Sequence, residues 1–280
     1  TGWTFLTPAD KAFLDGVYAI TTKATDRAGN TGVASLPLNL TIDTTVPSIL
    51  SVTGPAPKKY LFGEAIEFEA TFSEVVTVVA GTRDRDRPSI GVRIGDAVVQ
   101  AVYQSGSGTT KLKFRTTVAA GQLDTDGVAL DGILTIPSAA TIRDTAGNNA
   151  AVNFTPPSSF ATVLVDGGPK ATIVFSKEEK KATITFDRDV TGVDINDFRI
   201  SGSSAGFALP LTALTTSSGQ QYVGAVTLTG SGKAYILTLE KLPSQAGFYT
   251  LTLLALNSGI KDSATNAPLG ANAEASEILP

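Results

Sequence analysis

The side chains in this sequence with the most capacity for chemistry are carboxylates, and they recur in one setting. Residues 24–31 read ATDRAGNT, 142–149 read IRDTAGNN and 260–267 read IKDSATNA. Each contains D-x-A-x-N, and Asp26, Asp144 and Asp262 stand 118 residues apart in both intervals. Asp and Asn make turns because their side chains bond their own backbone and tolerate left-handed conformations, and that role alone accounts for the motif. A carboxylate and an amide oxygen four residues apart also begin a site for a hard divalent cation. Calcium collects about 6–8 such oxygens in flexible geometry. Gly147 would let the middle copy turn tightly enough to aim a carbonyl inward. Metal binding, in addition to turn formation, depends on whether further oxygens are brought to the turn.

Other chemistries are closed off by composition. The chain has no cysteine, histidine or methionine. Without cysteine there are no disulfides, thiolate nucleophiles or zinc–thiolate sites. Without histidine the usual neutral-pH acid–base group and the commonest transition-metal ligand are gone. A glycosidase needs only two carboxylates, but acidic residues that recur once per repeat read as ligands rather than as one cleft, so no enzyme is expected. A net charge of −4 and a pI near 5.0 offer nothing to nucleic acid or to an anionic membrane. The apolar runs are far shorter than a bilayer span, so no membrane insertion is expected. The chain opens on Thr1 with neither an initiator methionine nor a signal sequence, and it reads as a segment of something longer.

Strand signals dominate the elements that must position these carboxylates. Ile66–Phe72 (IEFEATF) alternates apolar and polar residues, as a strand with one buried face does. Lys111–Phe114, Ala182–Phe186, Tyr235–Leu239 and Tyr249–Leu253 are similar, and glycine-rich turns lie between them. No segment has the caps and apolar stripe of a helix. Two landmarks recur ahead of the acidic turn. Phe72-Ser73-Glu74-Val75-Val76-Thr77 matches Phe186-Asp187-Arg188-Asp189-Val190-Thr191, and Ser105-Gly106-Ser107-Gly108 matches Thr229-Gly230-Ser231-Gly232. The preserved order indicates duplication of a whole domain. Boundaries follow at TIDTTVP (41–47) and VDGGP (165–169), each an aspartate with a proline close behind. The expected division is 1–45, the C-terminal strands of one domain; 46–167, a complete domain; and 168–280, a second. The first cannot close a sandwich alone: its opening strands are cut away, or another chain supplies them by strand addition.

Residues 15–47, DGVYAITTKATDRAGNTG followed by LNLTIDTTVP, together with GEAIEFEATFSEVVTV (63–78) and IRDTAGNNA, resemble the tandem bacterial immunoglobulin-like domains of large secreted and cell-surface adhesins. The likeness extends more loosely over 170–266, where Thr265 stands in place of the turn glycine. The antibody-type cysteine pair and its buried tryptophan are missing; Trp3 is the only tryptophan. The resemblance implies all-β, immunoglobulin-like sandwiches in a row, an extracellular location, and calcium at the domain junctions.

In such a sandwich the D-x-A-x-N turn falls beside the linker from the preceding domain, and the acidic end of the second strand points the same way. Asp43, Glu74, Asp144 and Asn148 should therefore converge at the first junction, and Asp166, Asp187, Asp189, Asp262 and Asn266 at the second. Clustered carboxylates repel unless a cation or a basic side chain neutralises them, and calcium is the expected cofactor. Asp124-Thr125-Asp126-Gly127 with Asp131 hints at another calcium loop but lacks the terminal glutamate of the twelve-residue pattern, and a plain turn is expected. Thr82–Pro88 reads as a solvated loop and Lys177–Lys181 as a charged hairpin turn. Of three roles, the tandem units, the missing catalytic residue types and the acidic linkers favour a calcium-stiffened spacer of a surface adhesin. Another is a subunit of a surface layer, sheath or filament assembled by strand addition. The third is a module binding a surface glycan or protein, with neighbouring domains of the same or another chain as the first partners.

Overall fold

The computed structural model describes residues 13–158, 160–202, 207–215 and 223–279. The chain is all-β: two closed immunoglobulin-like units follow a first unit in which the described residues form two strands, β1 (Gly16–Ile20) and β2 (Leu38–Ile42), paired antiparallel. The second unit begins with β3 (Ile49–Thr53), β4 (Lys58–Leu61), β5 (Ala65–Val79), β6 (Ser89–Ile94) and β7 (Ala97–Ser105). It continues with β8 (Thr109–Thr117), β9 (Leu123–Asp124), β10 (Ala129–Thr135), β11 (Thr141–Arg143) and β12 (Val163–Asp166). One sheet runs β10-β6-β7-β8-β5-β11 with β3 also on β5, and a smaller sheet runs β4-β12-β9. β12 lies parallel to β4, so the last strand of the unit returns beside its early strands.

The third unit comprises β13 (Ala171–Ser176), β14 (Lys181–Thr191), β15 (Phe198–Gly202), β16 (Phe207–Pro210), β17 (Val226–Leu239), β18 (Gly247–Leu253), β19 (Lys261–Asp262) and β20 (Ala273–Leu279). Its sheets are β13-β14-β17, with β19 on β14, and β16-β15-β18-β20. The alternation legible in the sequence is the alternation of burial. Along β5, Ile66, Phe68, Ala70 and Phe72 are buried while their neighbours face outward, and along β14 Ala182, Ile184 and Phe186 do the same. The second and third units each close around an apolar core. Phe68, Phe114 and Ile90 pack with Tyr60 and Val165 in the second; Phe186 and Leu237 pack with Phe198 and Leu251 in the third. Regular helix among the described residues amounts to α1 (Leu211–Thr215) and two single 3₁₀ turns.

The repeat is visible in the backbone. β5 slips register against β8 between Thr71 and Val76, and β14 slips against β17 between Thr185 and Val190. The glycine landmark serves that slip. Gly106 (φ +108°) and Gly230 (φ +125°) sit where a Cβ would strike the carbonyl oxygen of Lys111 or Ala234, so only glycine fits. Tyr18 donates its hydroxyl to the Leu14 carbonyl at 2.8 Å and Tyr249 to the Gln245 carbonyl at 2.8 Å, each reaching four residues back. A hydroxyl anchored just upstream in this way marks the corner where an immunoglobulin-type strand begins. Gly16 and Gly247, two residues before these tyrosines, share a φ of +156°. β1 is therefore the counterpart of β18.

Candidate metal centre at the first domain seam

Each D-x-A-x-N segment forms one turn. In the first, Asp26 Oδ1 accepts from the Ala28 and Asn30 amides, each at 2.9 Å, and Asn30 Nδ2 donates to Asp26 Oδ2. In the second, Asp144 Oδ1 accepts from Gly147 and Asn148, and Asn148 Nδ2 donates to Asp144 Oδ2 at 2.8 Å. In the third, Asp262 Oδ1 accepts from Ala264 and Thr265, both at 2.7 Å. Asn266 takes the left-handed conformation (φ +61°), which replaces the glycine of the other copies as the means of closing the turn.

At the first seam the turn meets the linker and β5. Asp43 lies one residue past β2, Glu74 lies in β5, and Asp144 follows β11, which pairs with β5 through Ile142 and Val78. One carboxylate oxygen from each of the three can be chosen so that all lie within 4.8 Å of one another. Among the described residues no lysine or arginine is ion-paired to any of them. The repulsion has a readable effect. Burial first, and then the charges of Asp144 and Asp43, hold the Glu74 carboxyl above its ordinary range. Burial is also the largest single influence on Asp144 and pulls upward, but the Asn148 side chain and the amides of Asn148, Gly147 and Ala146 together outweigh it and hold that carboxyl low.

The donor set fits calcium. Oxygens held at about 2.3–2.6 Å from one calcium ion stand up to about 5 Å apart, so oxygens within 4.8 Å of one another are close enough to share one. Asn148 behaves otherwise than expected of a ligand. Its Nδ2 faces the cluster, donating to the Asp43 carbonyl at 3.0 Å and the Thr45 carbonyl at 3.3 Å as well as to Asp144. It staples the turn to the linker. Asp15, which the sequence reading passed over, holds the other flank by accepting from Thr44 and Thr45. Those bonds, led by the Thr45 hydroxyl, lower the Asp15 carboxyl.

The second seam is built differently. Asp166 and Asp262 do meet there, but Arg188 lies between them, with Nη1 at 3.3 Å from Asp166 Oδ1 and at 3.4 Å from Asp262 Oδ2. Asp187 accepts from the Lys170 amide at 2.9 Å and lies 3.6 Å from Arg188 Nε. Asp189 is exposed, and its carbonyl accepts from the Ser263 amide and hydroxyl. A guanidinium thus stands between Asp166 and Asp262, two of the five expected donors, and the only acidic trio of metal-holding spacing among the described residues is that of the first seam. All three residues lie within the register slip of β14 between Thr185 and Val190: Arg188 is the half-buried one, while Asp187 and Asp189 are exposed, Asp187 against Gly121 at the seam and Asp189 against Gly232.

Asp124 is a turn residue, as expected: Oδ1 accepts from Asp126 and Gly127 and Oδ2 from Gly95. Lys177–Lys181 joins β13 to β14 as a hairpin turn. Arg83 and Asp86 pair within the 82–88 loop, which is exposed over 82–85 and turns inward to a buried Pro88. Among the aromatic residues, Tyr60 and Tyr103 are core residues and Phe62 and Phe248 are exposed, whereas Phe5 and Tyr222 lie outside the described residues. No helix among the described residues is long and apolar enough to cross a membrane.

No family model and no curated protein matches the chain. Among solved structures it is similar to a titin fragment, Titin-A168169, at 9% identity over 84% of this chain and 98% of that one, with a TM-score of 0.23. It is also similar to the titin domains Z1Z2 in complex with telethonin, at 14% identity over 85% and 95%, with a TM-score of 0.18. Scores at that level carry no argument about partner or role. The immunoglobulin-like architecture rests instead on the strand order, the tyrosine corners and the two cores.

Proposed function

We propose that this chain is a spacer segment of an extracellular bacterial surface adhesin, with a calcium ion at its first domain seam. The observation that carries this reading is the trio Asp43, Glu74 and Asp144, brought within 4.8 Å from a linker, a strand and a turn with no basic partner. Without an ion the trio pushes the linker away from the second unit. With one, it draws the two together. Calcium is scarce inside cells and abundant outside, so the joint would stiffen only after export. The lack of histidine and cysteine, and the tandem units, fit a mechanical role better than a catalytic one.

Calorimetric titration of the chain with calcium tests this. The expected result is one site, lost in Glu74→Gln, with chelator lengthening no dimension but broadening the distance distribution in small-angle scattering. Absence of calcium binding, or a scattering profile indifferent to chelator, removes the reading. A second reading, completion of the first unit by strands of another chain in an assembled layer or filament, is favoured by one specific feature. Tyr18, Ile20, Leu38, Leu40 and Ile42 share one face of the β1–β2 pair, and Leu38 is 70% exposed there. Sedimentation at high protein concentration decides it, since a monomer in calcium-containing buffer counts against assembly.

A further inference from the structure

The two seams differ at one position. Aligned on the shared Phe-x-x-x-Val-Thr frame, Glu74 and Arg188 occupy the same place in β5 and β14. Both sit inside the slip in register, and both strands pair just beyond it with the strand that leads into the acidic turn, β11 or β19. The other two positions keep their charge. Asp43 corresponds to Asp166 in the linker, and Asp144 to Asp262 in the turn. At the first seam the third group is a carboxylate, and at the second it is a guanidinium.

We propose that Arg188 is the built-in cation of the second seam, standing where the first seam takes a metal ion, and that the charge at this one strand position decides which kind of seam forms. The inference rests on the calcium reading for its contrast, but the role of Arg188 stands by itself. Arg188 is 15% exposed and reaches three parts of the molecule. Nη1 lies between Asp166 and Asp262, and Nη2 donates to the Gly121 carbonyl of the second unit at 3.1 Å. Asp166 is 1% exposed, and its other oxygen, Oδ2, has no hydrogen bond but faces Lys59 Nζ at 3.7 Å. Two cations thus flank one buried carboxylate, which removes both the need and the room for a divalent ion there. Burial pulls the Asp262 carboxyl upward, but the amides of Thr265 and Ala264, and after them the Arg188 charge, outweigh it and hold it low.

The linker is fastened on both sides of this group. Gly121 N–H donates to the Gly168 carbonyl at 3.0 Å, Gly167 N–H to the Gln122 carbonyl at 2.8 Å, and Gly270 N–H to the Pro169 carbonyl at 3.2 Å. Gly167 and Gly168 approach so closely that a Cβ on either would fall on a backbone carbonyl, Ala119 in the second unit or Pro268 in the third. A seam packed backbone to backbone has little slack for an ion to take up.

The test compares the full chain with Glu74→Arg, Arg188→Glu and Arg188→Gln, each checked for a folded circular-dichroism spectrum. Calcium stoichiometry should be one for the parent, zero for Glu74→Arg and two for Arg188→Glu. A parent that binds two ions, or an Arg188→Glu chain that folds and gains none, overturns the inference. The arm independent of calcium is Arg188→Gln in chelator throughout. Amide exchange at Gly121, Gly167 and Gly270 should quicken about tenfold or more when the buried charge pair is broken. Unchanged exchange there overturns the role of Arg188 even if Arg188→Glu fails to fold. A parent that binds no calcium while Arg188→Gln loosens the seam would remove the calcium reading and leave Arg188 as the lock.

Discussion

Asp197 gives the third unit a pH dependence opposite in sign to that of most carboxylates. It is 4% exposed, and the protein donor to its Oδ2 is the Asp194 amide at 2.8 Å, within the capping box of a 3₁₀ turn. Burial, with a smaller contribution from the Asp194 charge and against the Asp194 amide bond, pushes its carboxyl from 3.8 up to about 6. A raised carboxyl means that between those two values the folded state binds more protons than the unfolded one. Stability from this group is therefore present at low pH and lost as pH rises through about 6. At about pH 5 the folded carboxyl is roughly nine-tenths protonated and the unfolded one roughly one-tenth or less, which amounts to about 1.4 kcal/mol relative to pH 7. For a unit of about 110 residues that is roughly 6 °C in Tm. The assay is thermal unfolding of the parent and of Asp197→Asn across this range. Asp262, Asp144 and the other lowered carboxyls act in the opposite direction, but equally in both proteins, so the difference between the two isolates Asp197. The expected result is a third-unit Tm that gains about 6 °C more in the parent than in the variant on going from pH 7 to 5. Parallel curves, or a parent that gains less, would refute the placement of a charged Asp197 inside the fold.

Two further substitutions probe the repeat and the cores. Gly230→Ala forces a Cβ into the Ala234 carbonyl at a φ of +125°, and should cost the third unit about 2 kcal/mol or more in urea unfolding while leaving the second unit's transition in place. Phe68→Ala empties a ring that is 1% exposed and packs 5.6 Å from Phe160. It should lower second-unit stability by about 3–5 kcal/mol in the same assay, and a loss under about 1 kcal/mol would mean that this core is not the one described.

Period-two patterning was enough to place the core strands, because β5 and β14 each bury one face only and hydrophobicity then alternates with orientation. The acidic turn was legible for a similar reason: its side chains bond their own backbone, so local sequence determines local geometry in all three copies. Two things were not. The excursion over 150–162 carries two prolines and no alternation, yet it pairs through Asn153 with Ile133 and through Phe160 with Val128, and Phe160 joins the core. Those partners are set by tertiary contact and leave no periodic mark. At the second seam Asp187 and Asp189 drew notice as carboxylates, while the cation between them, Arg188, which pairs with Asp166 and Asp262, left no mark in a search for oxygen ligands.

On the proposed reading, the charge at this strand position decides how the segment responds mechanically. Joints in series add their bending, so the loosest joint sets the spread of end-to-end distances whatever the stiffness of the others. A seam closed by Arg188 carries its neutralising charge on the chain and needs nothing from the medium. A seam closed over Asp43, Glu74 and Asp144 has three like charges inside 4.8 Å and must draw its neutralising charge from solution. On the proposed reading, calcium therefore acts on the reach of the segment through the first seam alone. Salt should imitate it poorly, because screening at physiological ionic strength acts over about 8 Å and is weak between partly buried groups inside that distance.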